Sequence, residues 1–259
     1  MRRKSNPLRS RGQRLGALRA AALRAATLPV VALLAGALLV AAGKARSADE
    51  YRYASPSADG IGKFYRGREI ARVMGFDGAA WLDRPERERE ERPDWLVEEL
   101  ALTPDMTVAD VGAGSGYLER RMAPRLPHGK IYAVDVQPPM VALLGELARR
   151  PEFAQVIPVQ GVVDDARLPA ASIDLAVLVD VYHELEFPAE VMRGVVRALK
   201  PGGRLVLVEY RAEDPAVPIK AVHKMSERQV RLEMAALPLD WERTSERLPL
   251  QHLVIFRRR

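Results

Sequence analysis

Cysteine is absent from the 259-residue chain. That rules out disulfides and every mechanism that needs a thiolate as nucleophile or metal ligand. It fits an oxidising compartment without proving one. Acidic residues are missing from residues 1–47, which hold ten basic side chains, leaving 30 of the 40 basic groups against all 34 acidic ones, a net of −4 for the rest. The formal charge of +6 and the isoelectric point near 9.7 therefore belong to the leader. The body has no excess positive charge for a nucleic acid or another polyphosphate. No metal-ligating set is assigned from the sequence.

The leader has the order of a targeting segment. Eight positive charges precede the uncharged 19-residue stretch 25–43, and Ala45-Arg46-Ser47 follows, placing cleavage before Ala48. Two outcomes compete: a retained membrane anchor, for which the length just suffices, or a removed signal core. Both put the body on the non-cytoplasmic side, in the periplasm or at the inner membrane. A non-cleaved extension on a cytoplasmic enzyme is the alternative.

Residues 48–62 are rich in small and turn-forming residues and are expected to form a linker. Residues 63–103 have a helical pattern and are expected to form a helical extension, with the charge run 84–92 as a solvated face supported by i,i+4 pairs. From residue 104 the rhythm changes. Short β-branched runs such as "KIYAVDV" and "IDLAVLVDV" alternate with longer helix-like segments. Near-continuous apolar strands mean burial on both faces, hence an α/β fold with a parallel sheet covered by helices. At the C-terminus, "DWERTSERLP" and "QHLVIFRRR" suggest an antiparallel strand pair.

The stretch "VADVGAGSGYLERRM" packs three glycines into five residues between a strand and a helix. Such a loop lets a ligand approach the backbone closely, and several ligand classes use it. Tyr117 stands where a dinucleotide fingerprint wants its third glycine, and no Gly-Lys-Ser/Thr follows, which argues against nicotinamide and nucleoside triphosphates. Asp110 precedes Gly112 by two residues and would oppose a pyrophosphate while favouring an ammonium. Asp135 ends the next apolar strand, where a carboxylate can accept from both ribose hydroxyls; a plain turn cap is the competing reading. Asp164 and Asp165 follow the third strand, as adenine acceptors or as an ordinary turn.

Taken in order, Asp110-Val111-Gly112-Ala113-Gly114-Ser115-Gly116, Asp135, the Asp164 to Leu168-Pro169 spacing, "IDLAVLVDVYHEL" and "LKPGGRLVLVEY" resemble the successive motifs of class I S-adenosylmethionine-dependent methyltransferases over residues 104–257. The resemblance implies a Rossmann-like seven-stranded, mostly parallel sheet with an antiparallel last strand and helices on both faces. It implies S-adenosyl-L-methionine as cofactor, with Asp110 at its amino group. The backbone from Gly112 through Ala113 and Gly114 to Gly116 would lie at the methionine portion, Asp135 and Val136 at the ribose. Asp164 would meet the adenine amino group, with Asp165 as substitute, and Asp180 would stand where the methyl group is presented.

Methyl transfer from a sulfonium needs mainly alignment, and a base only when the nucleophile is protonated. His183 is the candidate base, with Glu184 to orient it and Tyr182 to line the methyl pocket; capping of the next helix is the competing role for His183. Lys220, His223 and Lys224 are candidates for recognising an anionic acceptor, against a simple solvated connection. The fourth strand ends in "DVYH", without the Asn/Asp-Pro-Pro-aromatic grip on a flipped base. With the charge balance, this leaves a small-molecule or lipid-like acceptor. A non-catalytic cofactor-binding envelope protein and a nicotinamide-dependent oxidoreductase are the alternatives.

Overall fold

The structure, a computed structural model, describes residues 50–259. The leader expected over residues 1–47, with its apolar stretch 25–43, lies outside the described residues. Among the described residues no helix is long and apolar enough to cross a membrane.

Where a linker and then helices are expected, the chain first builds a three-stranded antiparallel sheet from β1 (Tyr51–Tyr53), β2 (Gly60–Tyr65) and β3 (Arg68–Ala71). Its strands carry Tyr51, Tyr53, Phe64, Tyr65 and Ile70, residues that favour a pleated surface. Arg66 and Gly67 join β2 to β3 with φ of 49° and 94°. Two successive positive φ values give the hairpin turn whose twist matches the strands. Only the second half of the expected extension is helical, in short pieces: α1 (Ala79–Leu82), α2 (Arg87–Glu90) and α3 (Pro93–Glu99).

The remaining elements are β4 (Thr107–Val111), α4 (Glu119–Met122), β5 (Lys130–Asp135), α5 (Pro138–Ala148), β6 (Val156–Gln160), β7 (Ile173–Val179), α6 (Pro188–Ala198), β8 (Leu199–Tyr210), α7 (Glu227–Met234), β9 (Leu239–Ser245) and β10 (Gln251–Arg258). The seven strands from β4 onward form one sheet in the order β6-β5-β4-β7-β8-β10-β9, parallel except for β10, which runs antiparallel to both neighbours. The expected α/β architecture is thus present, antiparallel last strand included.

Apolar residues cover both faces, as the unbroken strand patterns require. In β8, Leu205 and Leu207 pack on the side of α6 and α7, with Val191, Val195, Val230 and Met234. Val206 and Val208 point to the side of α3, α4 and α5, with Leu96, Met122 and Leu144. The chain reverses direction across the sheet between β4 and β7, which leaves a crevice at the carboxyl ends of these strands. Ligands of open α/β sheets bind in such a crevice.

Candidate functional site

The glycine loop opens off the end of β4. Gly112 and Ala113 donate their N–H groups to the Val134 carbonyl at 2.8 and 2.9 Å, which ties the loop to β5. Gly112 has φ of +88°, and a Cβ there would stand 2.5 Å from the Val181 side chain, so glycine is required on both counts. Asp135 ends β5 and braces the loop. One of its carboxylate oxygens accepts from Gly114 N–H at 3.0 Å, the other from Gln137 N–H at 2.8 Å.

Three carboxylates stand at or near the ends of the adjacent strands β5, β4 and β7: Asp135, Asp110 and Asp180. All three line one cavity of about 650 Å³. That is within the ~300–1,000 Å³ of small-ligand sites. Burial pushes the Asp110 carboxyl up to about 7. Glu119, wholly buried, is held well above its ordinary value by burial and then by the Asp110 charge. Burial also raises Asp135, against the lowering effect of its backbone hydrogen bonds. Asp180 has φ of 54°. One of its oxygens accepts from the Gln251 side chain at 3.1 Å, and the other is buried with no hydrogen-bond partner. Burial, then the Glu91 and Glu209 charges, push it well above the usual carboxylate range. An empty-handed buried carboxylate beside two others suits a ligand that brings cationic and hydroxyl groups, and opposes one that brings phosphates. S-adenosylmethionine, with its ammonium, sulfonium and ribose, fits that donor set.

The two aspartates after β6 are placed otherwise than expected. Asp164 is exposed on a turn outside the cavity, and Asp165 accepts the Arg167 N–H at 2.8 Å. Neither lines the cavity; Val162, Val163 and Ala166 do, as does Val136. The turn reading of the pair holds, because the side chain that closes the turn points back to its own backbone. Tyr182 is also away from the cavity. Fully buried, it donates to Glu233 at 2.6 Å, and Glu233 in turn pairs with Arg68 at 2.9 Å.

His183 does face the cavity, though a different carboxylate orients it. Its Nδ1 lies 2.5 Å from Glu209, which ends β8 beside Tyr210, whereas Glu184 is 3.9 Å from its Nε2. Burial lowers the His183 pKa to about 3 and raises that of Glu209 to about 8, favouring the uncharged form of each. His223 brings its Nδ1 to 3.2 Å from His183 Nε2 and 3.4 Å from Glu184. The sequence does not single out Glu209, although a glutamate inside the buried apolar run of β8 needs a polar partner, which His183 supplies. Nothing local marks His223 as a neighbour of His183, 40 residues earlier. Of the two lysines grouped with His223, Lys220 lines the cavity and pairs with Asp59 at 2.6 Å, while Lys224 donates to the Asp214 carbonyl at 3.3 Å and does not line it.

The charge run 84–92 is only partly solvated. Arg87 and Glu91 pair at 2.6 Å with side chains 12% and 6% exposed, and both line the cavity. Glu91 accepts further from Arg84 at 2.8 Å and from the Tyr210 hydroxyl at 3.1 Å. This pair is partly buried because the helices α1 to α3 close over the glycine loop instead of projecting from it.

A family model described as a methyltransferase domain matches residues 109–207. The uncharacterized methyltransferase YdaC of Bacillus subtilis is 29% identical over 126 residues, 49% of this chain and 68% of that protein. An uncharacterized methyltransferase-like protein of Schizosaccharomyces pombe is 32% identical over 133 residues, so the match spans about half of each chain, 51% and 49%. Among solved structures, a SAM-dependent methyltransferase from Aquifex aeolicus superimposes with a TM-score of 0.67 at 24% identity, covering 71% of this chain and 99% of that one.

Proposed function

We propose that the chain is a class I S-adenosylmethionine-dependent methyltransferase, a reading supported by the methyltransferase-domain match over residues 109–207 and the likeness to YdaC, and that it methylates a small or lipid-like molecule held in the outer part of the cavity. When bound, S-adenosylmethionine supplies a sulfonium methyl group and leaves as a neutral thioether. The protein's task is then alignment, worth up to ~7–11 kcal/mol of barrier. The observation that carries the reading is the row of Asp135, Asp110 and Asp180 opening with the glycine loop onto one cavity.

In this reading Asp135 receives the ribose hydroxyls on the lone pairs its backbone donors leave free. Asp110 faces the ammonium group, and the loop backbone from Gly112 to Gly114 faces the methionine chain. Val136 and Val163, apolar side chains 43% and 53% exposed at the cavity wall, take the adenine ring between them. Such exposure of apolar surface at a site is costly until a ligand covers it. Asp180 stands where the two ligands meet, and its unpartnered oxygen faces the acceptor.

Support for a small or lipid-like acceptor comes from the rest of the wall. Met74, Trp81, Leu82, Leu185 and Ile219 line it. A mostly apolar wall with a few polar groups suits a compact organic molecule better than a polyanion. The test is calorimetry of the full chain with S-adenosylhomocysteine, followed by incubation with S-adenosylmethionine and fractionated metabolites or lipids. Micromolar binding and a methylated small product are expected. Binding of a nicotinamide nucleotide instead, or methylation of nucleic acid alone, would overturn the reading.

A further inference from the structure

We propose that His183, His223 and Glu184 form a site for a divalent first-row transition ion, zinc foremost, which holds an oxygen of the methyl acceptor; the acceptor part of this rests on the reading above. His183 Nε2, His223 Nδ1 and a Glu184 carboxylate oxygen all lie within 4.8 Å of one another. The three separations are 3.2, 3.4 and 3.9 Å. Ligands at 2.0–2.1 Å from a tetrahedral ion stand about 3.3 Å apart. The cluster therefore needs little movement to close around one.

The supporting groups are in place as well. Glu209 holds His183 Nδ1 at 2.5 Å, and with the ring proton on Nδ1, donated to a Glu209 oxygen, the lone pair of Nε2 is directed outward. Glu184 is fixed separately, its second oxygen accepting from Met74 N–H at 3.3 Å. His223 stacks edge-on against His183, with ring centroids 5.1 Å apart. Two imidazoles and a carboxylate without sulfur select borderline ions over calcium or magnesium. Three protein ligands leave a fourth position free, the arrangement of reactive rather than structural zinc sites. All three residues line the cavity, so that position opens toward the space assigned to the acceptor. A hydroxyl bound there would lose its proton to solvent more readily, as metal-bound water does.

The competing account is a hydrogen bond from His223 Nδ1–H to His183 Nε2 with no ion. To decide, the full chain is stripped with a chelator, dialysed and titrated with Zn²⁺ by calorimetry, with Co²⁺ absorption as a second readout. One equivalent with micromolar or tighter affinity is expected. His223→Ala and Glu184→Ala should each weaken it at least 100-fold, and Glu209→Gln by roughly 10–100-fold. Since His183 is buried, its substitution is not needed for the test. No saturable binding, or binding unchanged in His223→Ala and Glu184→Ala, would overturn the site. Parallel titration with S-adenosylhomocysteine separates the two readings: cofactor binding without zinc binding sinks only the metal site. Zinc binding without cofactor binding sinks the cofactor reading and leaves the metal site standing.

Discussion

Asp135→Ala should all but abolish cofactor binding, and the structure sets the size of the effect. The carboxylate is buried and accepts two backbone N–H groups, from Gly114 and Gln137. Its remaining lone pairs are the proposed ribose acceptors. Hydrogen bonds to a charged group contribute about 1.5–3 kcal/mol each. Two such bonds to the ribose give at least about 3 kcal/mol, or roughly 100-fold in Kd. Orphaning the two backbone donors costs a further ~1–3 kcal/mol apiece in loop order. This second loss falls on stability as well as affinity, because it is present before any ligand binds. Calorimetry with S-adenosylhomocysteine reads the first effect and urea unfolding of the free protein reads the second. Asp135→Asn, which keeps one oxygen as an acceptor, should lie between wild type and alanine in both. Should Asp135→Ala bind within about threefold of wild type, the ribose assignment and the site built around it would be wrong.

Gly112→Ala should destabilise the fold by about 2–4 kcal/mol in urea unfolding, since the φ of +88° and the 2.5 Å approach to Val181 penalise any Cβ. Tyr182→Phe should lower stability by roughly 1–3 kcal/mol by leaving Glu233 short of a donor, with S-adenosylhomocysteine affinity unchanged; a large loss of affinity would return Tyr182 to the ligand site. Because Asp110 titrates near 7 in the fold against 3.8 in an ordinary carboxyl, the free protein binds more protons than the unfolded chain, so this stability is full below about 4 and is lost as pH rises through about 7. Glu119→Gln removes a second buried carboxyl held above its ordinary value, so its urea midpoint should gain on wild type at pH 8 relative to pH 5; an equal difference at both would refute the raised titration of Glu119. Export or anchoring by residues 1–47 predicts that alkaline phosphatase fused to the C-terminus is active in a bacterial host, and its inactivity would favour the cytoplasmic alternative.

The sheet was legible because the parallel strands β4 to β8 each carry a near-continuous apolar run, and only two-sided burial accounts for such runs. The glycine loop, Asp135 and Asp180 were legible for a related reason: they sit where those runs end. The N-terminal hairpin was not, since "GREIARVMG" satisfies a helical spacing over a few residues and the deciding feature is a conformational one, positive φ at Arg66 as well as Gly67. A single arginine gives no sign of that in sequence. Asp164 and Tyr182 failed for want of direction. Their positions along the chain are near the crevice, yet one side chain faces solvent and the other is drawn into the Arg68–Glu233 pair. His223 joins His183 through the path of a long connection, which no local pattern encodes.

The segment before β4 is part of the site, although the family model begins only at residue 109. Leu82 lies over Gly114 closely enough that a Cβ on that glycine would stand 2.8 Å from it, and Arg87 and Glu91 form part of the cavity wall. Met74 connects the two halves of the cavity through its backbone alone. Its carbonyl accepts from the Gln137 side chain at 3.0 Å, next to Asp135, while its N–H donates to Glu184 in the histidine cluster. A ligand that shifts Gln137 would thereby disturb the hydrogen bond that holds Glu184. Only an exchange to proline would remove a backbone donor, so this bridge tolerates other sequence change at residue 74 as long as the chain holds its course. On the proposed reading, residues from 72–91 and 218–223, which line the same cavity, would shape acceptor preference alongside the matched domain between them.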